Sequence, residues 1–169
     1  KALIAPTWGN EAVKKIADNI KVIVSFLNQY DIEAVFRPHP MTRLADLKLD
    51  KSVEIDLNRD LKNLHEYDIL LTDYSGIALE YFYLTGKYVI FLNVPKKIKR
   101  KVSKTEVDFI EDKMRTIIGK SVDIETLYDL ILPINLDEAK AKDFILLVTG
   151  ASNPLEKSVE IIDSEIIYS

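Results

Sequence analysis

The chain has 169 residues, a formal net charge of −4, 47% hydrophobic and 30% charged side chains, and no cysteine. This size and balance predict one globular domain, residues 1–169, with a real core, and argue against a general nucleic-acid binder, which is basic overall. Without cysteine there can be no disulfide and no thiolate metal site, a composition that suits a reducing cytosol, and no apolar run approaches the roughly 18 residues of a bilayer span. The sequence opens KALIAP, with neither an initiator Met nor a signal-peptide pattern, which predicts a piece of a longer protein.

In chain order, Ala2 to Ala5 is a short strand ending at Pro6-Thr7-Trp8-Gly9, and Asn10 is placed to cap a helix. Val13, Ile16, Ala17, Ile20, Val24 and Leu27 recur at steps of three and four, a stripe that packs on a sheet. Asp31-Ile32 turns the chain into a second strand, Glu33 to Arg37. That strand stops at Pro38-His39-Pro40, where a proline on each side of His39 blocks helix and sheet alike. Val53 to Asp56 is a brief third strand, and Asn58 is placed to cap a short helix, Arg59 to Glu66.

Next comes the densest stretch, DILLTDYSGIALEYFYLTGKYVIFLN, from Asp68 to Asn93. Ile69 to Leu71 is a buried strand, Thr72 to Gly76 a polar turn, 76–84 a helix ended at Gly86, and Tyr88 to Leu92 another buried strand. This is one βαβ unit, and its turn lies at the carboxyl end of a strand, where ligands of open parallel sheets bind. Beyond Asn93, a basic run from Lys96 to Lys104 precedes a helix with capping-box spacing from Ser103 to about Ile118. Gly119 ends that helix, and Asp123 caps another, Glu125 to Leu132. Phe144 to Thr149 is either a strand or a buried helical turn, and Asn153-Pro154 starts a last helix. Strands alternating with helices predict an α/β fold, a Rossmann-like and mainly parallel sheet flanked by helices.

Several common sites are absent. Five glycines, at 9, 76, 86, 119 and 150, form neither a dinucleotide fingerprint nor a Walker loop. Ser75 lacks the flanking glycines of a nucleophile elbow. His39 and His65 are too far apart for a helical metal pair, so no metal site is expected. What remains is the turn. Ser75 stands where a helix begins, so the N–H groups of Gly76, Ile77 and Ala78 are placed to meet a phosphate, which Gly76 lets approach closely. The alternative is a plain N-cap. His39, at a neighbouring strand end, is placed either to donate to a phosphate and contribute to proton transfer or to bond nearby backbone. Thr7 and Trp8 reach the same rim, Trp8 either stacking on a base or closing the core. Asp73 folds the turn through local N–H groups, and Glu80 meets a ribose hydroxyl or solvent.

These pieces together resemble the CDP-glycerol glycerophosphotransferase family, the polymerases and primases of teichoic-acid-type polymers. The matching residues are Ala5-Pro6-Thr7-Trp8, Arg37-Pro38-His39-Pro40, Leu71-Thr72-Asp73-Tyr74-Ser75-Gly76 and Gly86-Lys87-Tyr88-Val89-Ile90-Phe91, with a weaker match at Gly150-Ala151-Ser152. The resemblance implies the carboxy-terminal, donor-binding half of a two-domain GT-B transferase from a bacterial cell-envelope pathway. It assigns Arg37, His39, Thr72, Asp73, Ser75, Gly76 and Ser152 to the donor phosphates, with no cofactor beyond the nucleotide substrate. It places the catalytic base in an amino-terminal half not in this chain, so this half is expected to bind donor without turning it over. Three features depart from the family pattern: Gly9 where Arg is frequent, Gly76 where a second Ser is frequent, and the basic run in place of an acidic-aromatic segment.

Three functions follow as expectations. The first is transfer of glycerol phosphate from CDP-glycerol to a polymer hydroxyl. The second keeps the fold but uses a nucleotide sugar, as the C-terminal domain of a GT-B glycosyltransferase. The third is a non-catalytic ligand-binding module, although Ala5-Pro6-Thr7 lacks the acidic residues of a phospho-receiver. The run Lys96 to Lys104 is a solvated loop, a contact with anionic lipid at the inner face of the cell membrane, or a guide for an anionic acceptor. The expected location is cytoplasmic.

Overall fold

The computed structural model describes residues 1–51, 53–58, 60–95, 113–134 and 138–149. Among the described residues six strands make one sheet: β1 (Ala2–Ile4), β2 (Ala34–Phe36), β3 (Glu54–Ile55), β4 (Ile69–Thr72), β5 (Val89–Asn93) and β6 (Gly119–Asp123). All neighbours run parallel, in the order β3-β2-β1-β4-β5-β6. Leu3 pairs with Val35 on one side and Leu70 on the other, so the first strand of the chain lies in the middle of the sheet.

A parallel sheet is covered on both faces, and here alternate residues of each strand supply two separate cores. Ala2, Ile4, Phe36, Leu71 and Ile90 point to one face, under α1 (Asn10–Asp18) and α2 (Ile20–Asn28). Leu3, Val35, Leu70, Val89 and Phe91 point to the other, under α3 (Ile77–Thr85) and α4 (Glu138–Thr149). Fully enclosed side chains such as Phe26 and Phe36 each contribute about 2–3 kcal/mol of apolar burial. The α/β class, the parallel sheet and the central β4-α3-β5 unit are as the sequence predicts. Gly86 closes α3 at φ 64°, the left-handed conformation in which glycine is at ease. Among the described residues, no helix is long and apolar enough to cross a membrane.

Other expectations need correction. The first helix is two helices, because Asn19 leaves helical geometry and its side-chain amide donates to the Lys15 carbonyl at 2.8 Å. The break rotates the stripe, so that Ile23 and Phe26 are buried and Val24 only partly. Asn10 does not precede α1 as a cap but is its first residue. The second short helix is a 3-10 segment, Leu61–Glu66, capped by the Asp60 carboxylate through the Lys62 N–H; Asn58 instead accepts from the Asp60 N–H, and Arg59 lies outside the described residues. Gly119 does not stop a helix but opens β6, where its missing Cβ lets it lie against Val89 and Phe91. Asp123 accepts from Asn93 rather than capping, and a 3-10 segment, Ile124–Asp129, follows. Residues 113–117 are helical, as predicted for the end of their segment, and Phe144 to Thr149 falls in α4. Ser152, the run Lys96 to Lys104 and the last predicted helix lie outside the described residues.

Candidate functional site

Strand order reverses at β1. The chain moves from β1 outward to β2 and β3, then returns to lay β4, β5 and β6 on the other side. Such a switch point leaves a crevice at the carboxyl ends of the central strands. A cavity of about 460 Å³ occupies it here, lined by Pro6 after β1, His39 and Pro40 after β2, and Ser75, Gly76 and Glu80 from the β4–α3 turn. Leu57 and Leu61, both exposed, form its outer wall.

The turn at the start of α3 shows what it offers a ligand. Ser75 does not cap the helix; α3 starts after Gly76, with no side-chain cap. Ala78 N–H donates to the Ser75 carbonyl at 3.3 Å and Leu79 N–H to the Gly76 carbonyl at 3.0 Å. Among the described residues the N–H groups of Gly76 and Ile77 carry no hydrogen bond, so two donors, rather than the three expected, stand at the positive end of the helix. An added Cβ at Gly76 would meet nothing within 4 Å, so only a ligand would sense it.

His39 lines the same cavity from the segment after β2. Its Nδ1 accepts the Met41 N–H at 3.1 Å, which puts the proton of the neutral ring on Nε2. Burial lowers its pKa from 6.5, so at neutral pH it is a neutral donor. Trp8 lies 6.4 Å from His39, ring centre to ring centre, and is 45% exposed, so it does not close the core. It lines a second cavity of about 540 Å³, with Thr7, Lys14 and Met41, that meets the first at Thr42. Glu80 sits in the cavity wall, where desolvation raises its carboxyl above 4.5.

Two of the expected phosphate ligands, Thr72 and Asp73, are turned inward, and a third, Arg37, lines the cavity but is held by its own partners. The Thr72 hydroxyl is buried and donates to the Ala5 carbonyl at 2.6 Å. The Asp73 carboxylate is buried and reaches across to the segment after β1, accepting the Thr7 N–H at 2.8 Å. Arg37 is 8% exposed; its guanidinium holds Asp56 Oδ2 at 2.6 and 3.0 Å and Asn63 Oδ1 at 2.9 Å. Thr72 and Asp73 shape the rim from behind; Arg37 lines the cavity with its guanidinium held by Asp56 and Asn63, beside His39, Ser75, Gly76 and Glu80.

The sequence reading missed Arg115. This residue, 7% exposed, sends Nη1 to the Asp73 carbonyl at 3.0 Å, Nη2 to Asn93 Oδ1 at 2.9 Å and Nε to Ser121 Oγ at 3.0 Å. Its guanidinium also lies 4.6 Å from the Tyr74 ring centre and 4.9 Å from that of Phe91. In sequence it is one arginine among the charges of a helical stretch, a pattern shared by any solvated face. The wall residues Leu57 and Leu61 had no motif to mark them either.

No family model and no curated protein matches the sequence. Solved structures do match in fold. The chain superposes on the glycosyltransferase SnogD from Streptomyces nogalater with TM-score 0.54 at 14% identity, over 96% of this chain and 43% of that one. For the Methanocaldococcus jannaschii UDP-GlcNAc 2-epimerase in complex with UDP-GlcNAc and UDP, the TM-score is 0.55 at 18% identity, covering 96% and 45%. For the spinosyn rhamnosyltransferase SpnG complexed with thymidine diphosphate it is 0.52 at 12% identity, covering 95% and 45%. The chain thus has the fold of one Rossmann-like domain of the GT-B type and spans less than half the length of these proteins.

Proposed function

We propose that the cavity at the β1–β4 switch point binds the nucleoside diphosphate of an activated donor, and that the chain is the donor-binding half of a GT-B-type transferase. The observation that carries this is the convergence, in one cavity, of His39 and the N–H groups of Gly76 and Ile77, which carry no hydrogen bond among the described residues. Two fixed backbone donors at a helix start and a neutral imidazole donor suit a diphosphate without a metal. Glu80, one turn into α3, is placed for a ribose hydroxyl, and Leu57 and Leu61 offer an apolar face to a base.

A nucleotide-sugar donor is favoured by the fold neighbours, whose structures include UDP-GlcNAc, UDP and thymidine diphosphate. The reaction of the whole enzyme would then be attack of an acceptor hydroxyl on the anomeric carbon, with the nucleoside diphosphate leaving. CDP-glycerol is favoured by the motifs at residues 5–8, 37–40 and 71–76; there the hydroxyl attacks the β-phosphate and CMP leaves. In both versions the proton acceptor for that hydroxyl, and a second wall of the cleft, would come from outside this chain. Ser152, Thr7 and Trp8 remain proposed contacts, and the run Lys96 to Lys104 a proposed contact with anionic lipid at the cytoplasmic face.

Calorimetric titration with UDP, thymidine diphosphate, CDP and CMP tests the reading. Diphosphates are expected to bind, CMP more weakly. Preference for UDP or thymidine diphosphate selects the sugar donor, and preference for CDP selects the alditol donor. Gly76→Ala is expected to weaken diphosphate binding by about tenfold while leaving the unfolding midpoint unchanged. Absence of affinity for every diphosphate up to millimolar concentration would overturn the proposal in favour of a binding module of another kind.

A further inference from the structure

Arg115 is a heavily engaged cation near the cavity, yet it does not line it. Its three bonded nitrogens reach three different segments. Nη1 holds the carbonyl of Asp73 in the β4–α3 turn, Nη2 holds Asn93 at the end of β5, and Nε holds Ser121 in β6. Asn93 in turn donates to Asp123, at the end of β6. On the opposite side of the turn, the Asp73 side chain grips the Thr7 N–H, and the neighbouring Thr72 hydroxyl grips the Ala5 carbonyl. Residues 72 and 73 are therefore fixed from both directions, by the segment just after β1 through their side chains and by β5 and β6 through Arg115.

The charges explain why an arginine stands there. Asp73 is fully buried, and its Oδ2 has no hydrogen-bond partner among the described residues. Burial pushes its carboxyl above 3.8, while the N–H groups of Thr7, Tyr74 and Asp73 and the Arg115 cation favour its charged form. A buried cation next to a buried anion lowers the cost of both, and the planar fork lets one side chain serve three acceptors while its face lies on Tyr74 and Phe91. Lysine, a single ammonium, cannot make this set of contacts.

Resting on the diphosphate reading above, we propose that Arg115 is a positioning residue: it sets the angle at which the Gly76 and Ile77 N–H groups meet a diphosphate by holding the Asp73 carbonyl, three residues before the first of the donors. It touches no ligand. It belongs to the far edge of the sheet, so diphosphate recognition at the switch point depends on a residue more than twenty positions beyond β5.

The test compares a nucleoside with its diphosphate. Uridine and cytidine engage only the base and ribose walls, near Leu57, Leu61 and Glu80, whereas UDP and CDP add the turn. Binding to the 169-residue chain and to Arg115→Met, which keeps the stem that packs on the two rings, is followed by amide chemical shifts over a millimolar range. The expected result is a loss of about tenfold or more in UDP and CDP affinity, nucleoside affinity within about twofold, and shifted amides at Ser75 to Ile77. Arg115→Lys should restore little. Ser121→Ala, which removes one exposed anchor and keeps the fold safe if Arg115→Met does not fold, should give a smaller loss of the same selective kind. Equal weakening of nucleoside and diphosphate, in either variant, makes Arg115 a stability residue only and overturns the proposal. Unchanged diphosphate affinity in both variants also overturns it. If the unaltered chain itself shows no gain from the diphosphate over the nucleoside, the diphosphate reading fails first and takes this inference with it.

Discussion

Asp56 illustrates how a residue can matter to a cavity without lining it, through its pair with Arg37, which does. The pair is nearly enclosed, 8% and 12% exposed, and Tyr67 adds a hydroxyl bond to the same carboxylate oxygen at 2.8 Å. Asp56 thereby ties the end of β2, which carries Pro38 and His39, to the segment that carries Leu57. Desolvation alone would raise the Asp56 carboxyl, but the Arg37 guanidinium, the Asn58 N–H and the Tyr67 hydroxyl outweigh it and hold the group below 3.8. The Tyr67 hydroxyl is pushed up to about 12, chiefly by burial and then by Asp56, and so remains a donor throughout the neutral range. Asp56→Ala leaves the Arg37 charge buried and unpaired and is expected to cost about 3–5 kcal/mol in urea unfolding at neutral pH. A lowered folded pKa means that this stabilisation is complete above 3.8 and disappears as pH falls through the folded value, so the variant should lose part of the acid-side decline in stability. Asp73, with its raised carboxyl, acts with the opposite sign: its contribution is fully present below 3.8 and is lost as pH rises through its folded value. An unfolding midpoint for Asp56→Ala within about 1 kcal/mol of the unaltered chain would contradict the assignment.

At the scale of elements, the strands and helices around the switch point were legible because each is a short apolar run or stripe bounded by Pro, Gly or Asn. β4, α3 and β5 fall within a residue or so of their predicted limits, and His39, Ser75, Gly76 and Glu80 do share one cavity. Distant partners were not legible. No local pattern says that Thr72 will bond Ala5, that Asp73 will reach Thr7, or that Arg115 will cross to the turn, since each contact joins residues at least 42 positions apart. β6 was missed for a related reason: the sequence GKSVD has a glycine and three polar residues, and only its fit against β5 makes it a strand. Gly119 shows that fit most sharply. A Cβ there would lie 2.2 Å from the Val89 carbonyl oxygen and 2.5 Å from the Phe91 ring. Gly119→Ala is therefore expected to destabilise by about 1–3 kcal/mol or more through forced separation of β5 and β6, read as a lowered urea midpoint. Unchanged stability would mean that this strand pairs more loosely than its register indicates.

For the molecule as a whole, the chain spans less than half the length of its fold neighbours. Binding at a site formed by the folded sheet should raise the melting temperature by mass action. A diphosphate at about 100 times its Kd would add about 2.7 kcal/mol, a shift of roughly 5–10 °C for a chain of this size. No shift at such an occupancy, established separately by titration, would place binding in the unfolded or non-native chain and away from the cavity. The central position of β1 has one more consequence, in the time order of synthesis. β1 is made first but finds its second neighbour only when β4 has been made, and the donors of α3 follow directly after. The third anchor of the turn arrives still later, with Arg115 and β6. A growing chain would therefore acquire the cavity before it acquires the brace that fixes it, so the affinity of nascent chains arrested at successive lengths should rise in two steps, the second only after residue 121 has emerged.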